Sequence, residues 1–205
     1  MLQVNTNDEN SAEYWNEIYL KEYNTDKKRI DPERMNYIKG AVQRWISTNK
    51  GANPLFADFG CGNGELIRWL HYELPQFEKV GLDISSSAIE QANRDSRKVL
   101  YRIGDLNENV SDISQRSVDV AFFGETLEHL KSPEKSLELV FNTLKTGGYL
   151  ILSVPCKNNN PTSEHNFTFD VWDIMKIASK YGSLEHLDVV ANGLSLICIV
   201  KKEIK

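Results

Sequence analysis

Hydrophobic residues recur along this chain with two different spacings. Between residues 55 and 182, short apolar runs alternate with longer segments in which apolar residues lie three and four positions apart. The short runs are typical of buried strands, and the longer segments are typical of amphipathic helices. The pattern predicts strands at 55–59, 79–84, 98–105, 117–124 and 149–155, and helices at 64–74, 85–96, 133–146 and 169–182.

Two more helical segments are predicted ahead of this alternation, at residues 11–23 and 32–46. The first is rich in aromatic residues, among them Tyr14, Trp15 and Tyr19. Helical spacing predicts that most of these rings pack the helix onto the rest of the protein. In a second interpretation they form a lid that excludes water from a site, and Tyr14 and Trp15 are the candidates for that role.

The alternation of strands and helices predicts a parallel sheet with helices on both faces. The end of the chain departs from it, because 184–191 and 194–200 are both predicted strands and Asn192-Gly193 between them is typical of a type I′ turn. We therefore predict a doubly wound α/β fold with seven strands, mostly parallel, and an antiparallel last strand. We assign 51–205 to this core and 1–50 to an N-terminal helical cap or lid segment.

Charge and composition narrow the classes of function. The chain has 24 basic and 29 acidic residues, and this acidic balance disfavours a nucleic-acid partner, whose phosphates require a basic surface. No apolar run reaches the roughly 18 residues of a membrane span. The acidic N-terminus is unlike a secretory signal, and the three cysteines have neither disulfide nor zinc spacing. We expect a cytoplasmic protein that acts on a small molecule; its oligomeric state is not predicted.

The stretch LFADFGCGNGE, residues 55 to 65, contains three glycines within five positions directly after the first predicted strand. In a doubly wound sheet, ligands bind at the carboxyl ends of the strands. A dinucleotide site would require G-x-G-x-x-G, but Glu65 stands in place of the last glycine, where an acid would repel pyrophosphate. Asp58, just before the loop, instead favours a ligand with a cationic end, such as an amino acid group or a sulfonium.

These features resemble the class I S-adenosylmethionine-dependent methyltransferases. ADFGCGNGE is similar to the glycine-rich first motif of that family, and VGLDIS to its second strand with an acidic end. The segments GDLNE, VDVAFFGETLEHL and LKTGGYLILSVP then follow in the order of the family, and the terminal hairpin matches its reversed last strand. The resemblance covers residues 35 to 200. The segment ETLEH at 125–129, together with the later His165, resembles two branches of the family, the ubiquinone-biosynthesis O-methyltransferases and the small-RNA 2′-O-methyltransferases.

The resemblance implies that S-adenosylmethionine is the cofactor and S-adenosylhomocysteine its product. Asp83 would accept hydrogen bonds from the ribose hydroxyls, and Asp105 would bind the adenine amino group with Leu106 against the ring. Asp58 would orient the ammonium end of the cofactor. The alternative is that these acids only cap strand ends and turns. The implied cofactor-binding residues are Asp58, Gly60, Cys61, Gly62, Asn63, Gly64, Asp83, Ile84, Asp105, Leu106 and Glu125; we assign no chemistry to Cys61.

Methyl transfer mainly requires alignment of donor and nucleophile, and a hydroxyl acceptor also requires a base. GETLEHL provides Glu125, Glu128 and His129, which share one face if a helical turn starts there, and SEHNFTFD provides His165. We predict His129 and His165 as catalytic residues. The four side chains have the ligand types for Mg²⁺, Mn²⁺ or Zn²⁺, as in the RNA branch, but metal-free relatives carry the same motif. We therefore predict no metal ligand.

The sequence predicts a methyltransferase for a small-molecule acceptor, with transfer to oxygen. One alternative is a divalent-metal-assisted O-methyltransferase of the RNA 2′-O or polyprenyl-phenol type. Two others are an NAD-dependent oxidoreductase, disfavoured by Glu65 and the hairpin, and a non-catalytic cofactor-binding subunit. The N-terminal helices and residues 156–170 would shape the acceptor site. Because neither segment carries a recognisable motif, the acceptor itself stays open.

Overall fold

A computed structural model describes residues 10–22, 31–49, 53–95, 99–110, 113–157 and 164–203. The strands are β1 (Leu55–Phe59), β2 (Glu78–Asp83), β3 (Leu100–Ile103), β4 (Val118–Gly124), β5 (Leu144–Pro155), β6 (Ser183–Val190) and β7 (Ser195–Lys201). The helices are α1 (Ala12–Glu22), α2 (Pro32–Thr48), α3 (Glu65–Glu73), α4 (Ser86–Asp95), α5 (Pro133–Thr143) and α6 (Val171–Tyr181). Residues 158–163 of the predicted acceptor loop and the end of the first predicted helix lie outside these ranges.

The seven strands form one sheet in the order β3-β2-β1-β4-β5-β7-β6. Strands β1 to β5 pair in parallel, whereas β7 runs antiparallel to both β5 and β6. This confirms the predicted doubly wound α/β fold with its reversed last strand. The winding reverses between β1 and β4, and such a reversal leaves a crevice at the carboxyl ends of the strands.

Helices cover both faces of the sheet, and alternate residues of a strand reach opposite cores. On β1, Phe56 packs with α2 and α3, whereas Ala57 and Phe59 pack with α5 and α6. Leu150 and Ile151 of β5 divide between the two faces in the same way. This two-residue period is the expected consequence of strand pleating, and it aims successive side chains at the two helical layers.

Helix α2 belongs to the packed body of the protein. Its Ile38, Val42 and Trp45 are buried against one face of the sheet. Pro32 occupies its first turn, and Asp31 caps it by accepting hydrogen bonds from two backbone N–H groups. No helix in the described parts of the chain has the length and apolar content needed to cross a membrane. The division at residue 50 into cap and core stays a prediction.

The predicted helix at 133–146 is too long by about one turn. Helix α5 ends at Thr143, and β5 already begins at Leu144. The residues that follow form sheet contacts instead, since Gly147 N donates to Lys202 O at 2.8 Å and Lys202 N donates to Gly148 O at 2.9 Å. Pairing with the terminal strand therefore overrides the local helical pattern.

The turn of the terminal hairpin is also displaced from its predicted position. Val190 pairs with Ser195, so the loop spans residues 191–194 rather than the Asn192-Gly193 pair alone. Ala191, Asn192 and Gly193 all have positive φ, at 56°, 55° and 88°. Two consecutive tight turns, closed by Gly193 N to Val190 O and Leu194 N to Ala191 O, account for the longer loop.

Candidate active site

The glycine loop turns directly after β1. Its three glycines have left-handed backbone conformations, with φ of 80° at Gly60, 52° at Gly62 and 78° at Gly64. At Gly60 a side chain would also meet the protein itself, because a Cβ there would lie 2.6 Å from Cγ2 of Thr126. The N–H groups of residues 60 and 61 both donate to Leu82 O, which ties the loop to β2.

Asp83, at the end of β2, closes the other side of this loop. Its Oδ2 accepts a hydrogen bond from Gly62 N at 2.8 Å, and its Oδ1 accepts one from Ser85 N at 2.8 Å. Burial raises the pKa of the carboxyl group, and the backbone donors oppose that rise. The side chain is 8% exposed and faces a cleft, so it is a buried acid with access to a ligand.

Asp58 stands two residues before Gly60, and Cys61 lies within the loop. Asp58 is buried, and burial together with the nearby charge of Asp83 raises its pKa to about 8. The thiol of Cys61 is also buried, its pKa is raised by burial, and it donates to Gly62 O at 3.6 Å. A neutral buried acid becomes a carboxylate readily when a cation arrives beside it, whereas the protonated thiol is a poor nucleophile.

A cleft opens at the carboxyl ends of β1 to β4. Seven of the predicted site residues line it: Gly60, Asp83, Ile84, Asp105, Leu106, Glu125 and His129. Six others do not: Asp58, Cys61, Gly62, Asn63, Gly64 and His165. The sequence analysis missed the lining residues Asn10, Gly104, Asn107, Thr126 and Leu130, although all of these except Asn10 lie within the motifs GDLNE and GETLEHL.

The floor of the cleft beyond β3 is held by Asp105 and Asn107. Oδ1 of Asp105 accepts hydrogen bonds from the backbone N and from Nδ2 of Asn107, at 2.8 and 2.9 Å. The side-chain oxygen of Asn107 in turn accepts from Lys131 N at 2.8 Å. Leu106 between them is buried and belongs to the core. Asn107 therefore fixes the loop that presents Asp105, a role its place beside the acid could have indicated.

Glu125 is separated from the residues with which it was expected to share a helical face. It has a left-handed backbone with φ of 49°, and the short 3-10 helix begins only at Leu127. Its carboxylate accepts from Ser153 Oγ at 2.8 Å and lies 3.3 Å from Nη2 of Arg34. The expectation of one shared face is therefore wrong, because β4 ends in a backbone conformation that is not helical.

Glu128, His129 and His165 come together below the cleft. One ligand atom from each lies within 4.8 Å of the others, and the two imidazole rings are 5.1 Å apart. Glu128 is 1% exposed, and among the described residues no hydrogen bond reaches either carboxylate oxygen; Nε2 of His129 is 3.6 Å away. Burial, then the charge of Glu125, raises the pKa of Glu128 well above its ordinary value. The group brings together a carboxylate and two imidazoles, which are the ligand types that bind protons and divalent cations.

Helix α1 lies over this edge of the sheet. The ring of Trp15 meets His129 edge to face at 5.0 Å, and both Trp15 and Tyr19 line the cleft. Asn16 fastens the helix to the start of α4, because its Oδ1 accepts from Ser85 Oγ at 2.9 Å and from Ser87 N at 3.1 Å. The aromatic rings of α1 therefore both pack and form one wall of the cleft.

A sequence model of the methyltransferase domain matches residues 52–183, which is more than half of the chain. The chain therefore belongs to this family, the class I S-adenosylmethionine-dependent methyltransferases. The carboxy-S-adenosyl-L-methionine synthase of Campylobacter hominis is 29% identical over 98 residues, which cover 47% of this chain and 42% of the relative. The aligned segments span about half or less of the curated relatives.

Solved structures share the fold at lower identity. The magnesium protoporphyrin IX methyltransferase of Synechocystis PCC 6803, solved with bound SAH, has a TM-score of 0.70 and 16% identity, and the match covers 94% of this chain and 98% of that one. A TehB-like SAM-dependent methyltransferase from Corynebacterium glutamicum has a TM-score of 0.65 and 17% identity over the same shares. At these identities the likeness concerns the fold.

Proposed function

We propose that this methyltransferase binds S-adenosylmethionine in the cleft and transfers its methyl group to an oxygen of a small-molecule acceptor. The observation that carries the proposal is the position of Asp83. This buried acid faces the cleft at the end of β2 and is hydrogen-bonded to the glycine loop. An acid at this place in a doubly wound sheet is suited to bind ribose hydroxyls.

The other proposed contacts with the cofactor follow from the chemistry of the residues that line or adjoin the cleft. Asp105, held by Asn107, would accept from the adenine amino group, and Ile84 and Leu106 would contact the ring. Gly60 would allow close approach of the ligand to bare backbone. Asp58 fits the ammonium end of the ligand, because a buried acid with a pKa of about 8 is stabilised as a carboxylate by a neighbouring cation.

When bound, the cofactor supplies a methyl group activated by a sulfonium and leaves as S-adenosylhomocysteine. We propose that His129 accepts the proton of the acceptor hydroxyl through Nε2, since its Nδ1 lies 3.0 Å from the backbone oxygen of Glu164. His165, buried beside it, would hold the ring in place. Helix α1, within the N-terminal segment 1–50, would act as a cap, in which Trp15 excludes water from the reacting groups.

A metal-assisted O-methyltransferase is a second candidate, favoured by Glu128. A carboxylate that is 1% exposed and accepts no hydrogen bond among the described residues is costly unless it binds a proton or a cation. Glu128, His129 and His165 would supply three ligands to Mg²⁺, Mn²⁺ or Zn²⁺, and such an ion lowers the pKa of a bound hydroxyl. Equilibrium dialysis with each ion would test this, since Glu128→Gln should abolish its binding.

Calorimetric titration with S-adenosylmethionine, S-adenosylhomocysteine and NAD⁺, with and without Mg²⁺, tests the proposal first. We expect micromolar binding of the two sulfur ligands and none of NAD⁺. Binding of NAD⁺ alone would point to an oxidoreductase and would overturn the proposal. Transfer of labelled methyl to a panel of hydroxyl, amine and carbon acceptors then separates an enzyme from a non-catalytic subunit. The cytoplasmic location, the absence of a nucleic-acid partner and the nature of the acceptor stay predictions.

A further inference from the structure

Glu164 connects helix α1, and Asn10 just before it, to His129 through three hydrogen bonds. Its backbone oxygen lies 3.0 Å from Nδ1 of His129 and accepts from Nδ2 of Asn10 at 2.9 Å. Its side-chain Oε1 accepts from the hydroxyl of Tyr14 at 2.7 Å. Asn10 and Tyr14 are separated from Glu164 by 154 and 150 positions along the chain, so these contacts exist only in the folded state.

The contact to His129 fixes the position of a proton. A backbone carbonyl can only accept a hydrogen bond, so Nδ1 of His129 must carry the proton. In a neutral imidazole the lone pair then stands on Nε2. Nε2 is the ring nitrogen that lies 3.6 Å from Oε1 of Glu128. The carbonyl of Glu164 therefore selects the tautomer in which Nε2 can accept a proton or bind a cation.

We propose that Glu164 is a positioning residue, which couples the closed position of α1 to the tautomer of His129. The bond from Tyr14 holds the side chain of Glu164, and the bond from Asn10 holds its backbone oxygen at the imidazole. When α1 leaves, both restraints are lost and Nδ1 loses its fixed acceptor. The consequence for catalysis rests on the proposed function, whereas the tautomer itself is a property of the free protein.

Two features of α1 support this coupling. The helix is fastened on its other side by Asn16 and by Gln91, whose Nε2 donates to Tyr19 O at 2.9 Å, so its position over the cleft is defined at both ends. Trp15, next to Tyr14, also packs its ring on His129. The same helix thus covers the imidazole and, through Glu164, orients it.

The tautomer of His129 can be measured by long-range ¹H–¹⁵N correlation in the full chain labelled at histidine. The protein is treated with EDTA and studied at about pH 8, where a histidine of ordinary pKa is neutral. His129→Gln identifies the signals. Tyr14→Phe and Glu164→Ala each remove the hydrogen bond between the Tyr14 hydroxyl and the Glu164 side chain, whereas Glu164→Gln keeps an acceptor for Tyr14. The control variants Tyr72→Phe and Glu138→Ala make the same kinds of change at exposed positions. Thermal unfolding shows whether each variant is folded.

We expect the Nδ1–H tautomer of His129 in the wild type. Tyr14→Phe and Glu164→Ala should each shift the ratio of the two tautomers about fivefold, which is the change expected for one lost hydrogen bond. Glu164→Gln, Tyr72→Phe and Glu138→Ala should change this ratio little. An Nε2–H tautomer in the wild type would overturn the proposal, as would an unchanged ratio in both variants. Titration of the same samples with S-adenosylhomocysteine is read separately: failure of the wild type to bind would overturn the proposed function and leave the result on the tautomer standing.

Discussion

Gly62 donates its backbone N–H to Oδ2 of Asp83 at 2.8 Å, and this bond joins the glycine loop after β1 to the acidic end of β2. Ser85 N donates to the other oxygen of the same carboxylate. The acid therefore orders the loop and the start of α4 while it faces the cleft. A ligand that uses Asp83 meets a group whose orientation is already set by two backbone donors.

Asp83→Asn should weaken binding of S-adenosylhomocysteine about 10- to 100-fold, because a hydrogen bond to a charged group contributes roughly 1.5–3 kcal/mol. The amide would keep one acceptor oxygen but would place an NH₂ group against one of the two backbone donors. Calorimetric titration measures the change. Asp188→Asn, at an exposed position on β6, is the matched control and should bind as the wild type does.

Binding of the cofactor should release a proton near neutral pH. The pKa of Asp58 is raised to about 8 by burial, so its side chain is mainly protonated at pH 7 and loses the proton when a ligand ammonium arrives. Titrations in buffers of different ionisation enthalpy should detect a release that approaches one proton at pH 7 and fades above about pH 9, where Asp58 is already ionised.

Adenosine, which lacks the ammonium end, is the matched ligand for that experiment and should bind with little release. Asp58→Asn should remove the release seen with S-adenosylhomocysteine. An undiminished release in this variant would assign the proton to another group and would argue against contact between Asp58 and the ligand ammonium.

Gly60→Ala should be more destabilising than Gly147→Ala. Both residues have left-handed backbones, with φ of 80° and 78°, so both variants carry a strain of roughly 1–3 kcal/mol. A Cβ at Gly60 would also lie 2.9 Å from Cβ of Thr126, whereas nothing lies within 4 Å of one at Gly147. Overpacking should lower the free energy of unfolding of Gly60→Ala by about 1–3 kcal/mol more. Urea unfolding measures the free energy of unfolding of both variants, and equal decreases would argue against crowding of a Cβ at Gly60 by Thr126.

Gly40→Ala should stabilise the protein. Gly40 is exposed within α2, and nothing lies within 4 Å of a Cβ built there. Alanine restricts the unfolded chain and favours the helix, so the free energy of unfolding should rise by about 0.5–1 kcal/mol. For a chain of this size the midpoint of thermal unfolding should rise by about 1–4 °C. A decrease would mean that α2 is not a regular helix at this point.

The succession of strands and helices along the chain, the reversed last strand and the position of the glycine loop were predictable, because each depends on local pattern. Alternating apolar runs, turn residues and an acid after β2 lie within short stretches of sequence, and doubly wound topology then brings the strand ends to one edge. Asp83, Ile84 and Asp105 line the cleft as expected from their places after β2 and β3.

The end of α5 and the turn of the hairpin were not predictable in this way. At Leu144 the sequence continues a helical pattern, but pairing with β4 and β7 satisfies the backbone in the sheet. In the hairpin, the pairing of Val190 with Ser195 lengthens the loop beyond the Asn192-Gly193 signal. In both places hydrogen bonds between distant strands overrule local preference.

By itself the sequence determined the family, the fold and the cofactor loop, because these follow from residues close together in the chain. Only the tertiary structure decided how the side chains are paired. It placed Glu125 beside Arg34 rather than with Glu128, and it joined Glu164 to Tyr14 and His129. Such partners lie far apart in sequence, and no local spacing encodes their contact; packing of α1, α2 and the loop before α6 on one sheet edge creates it.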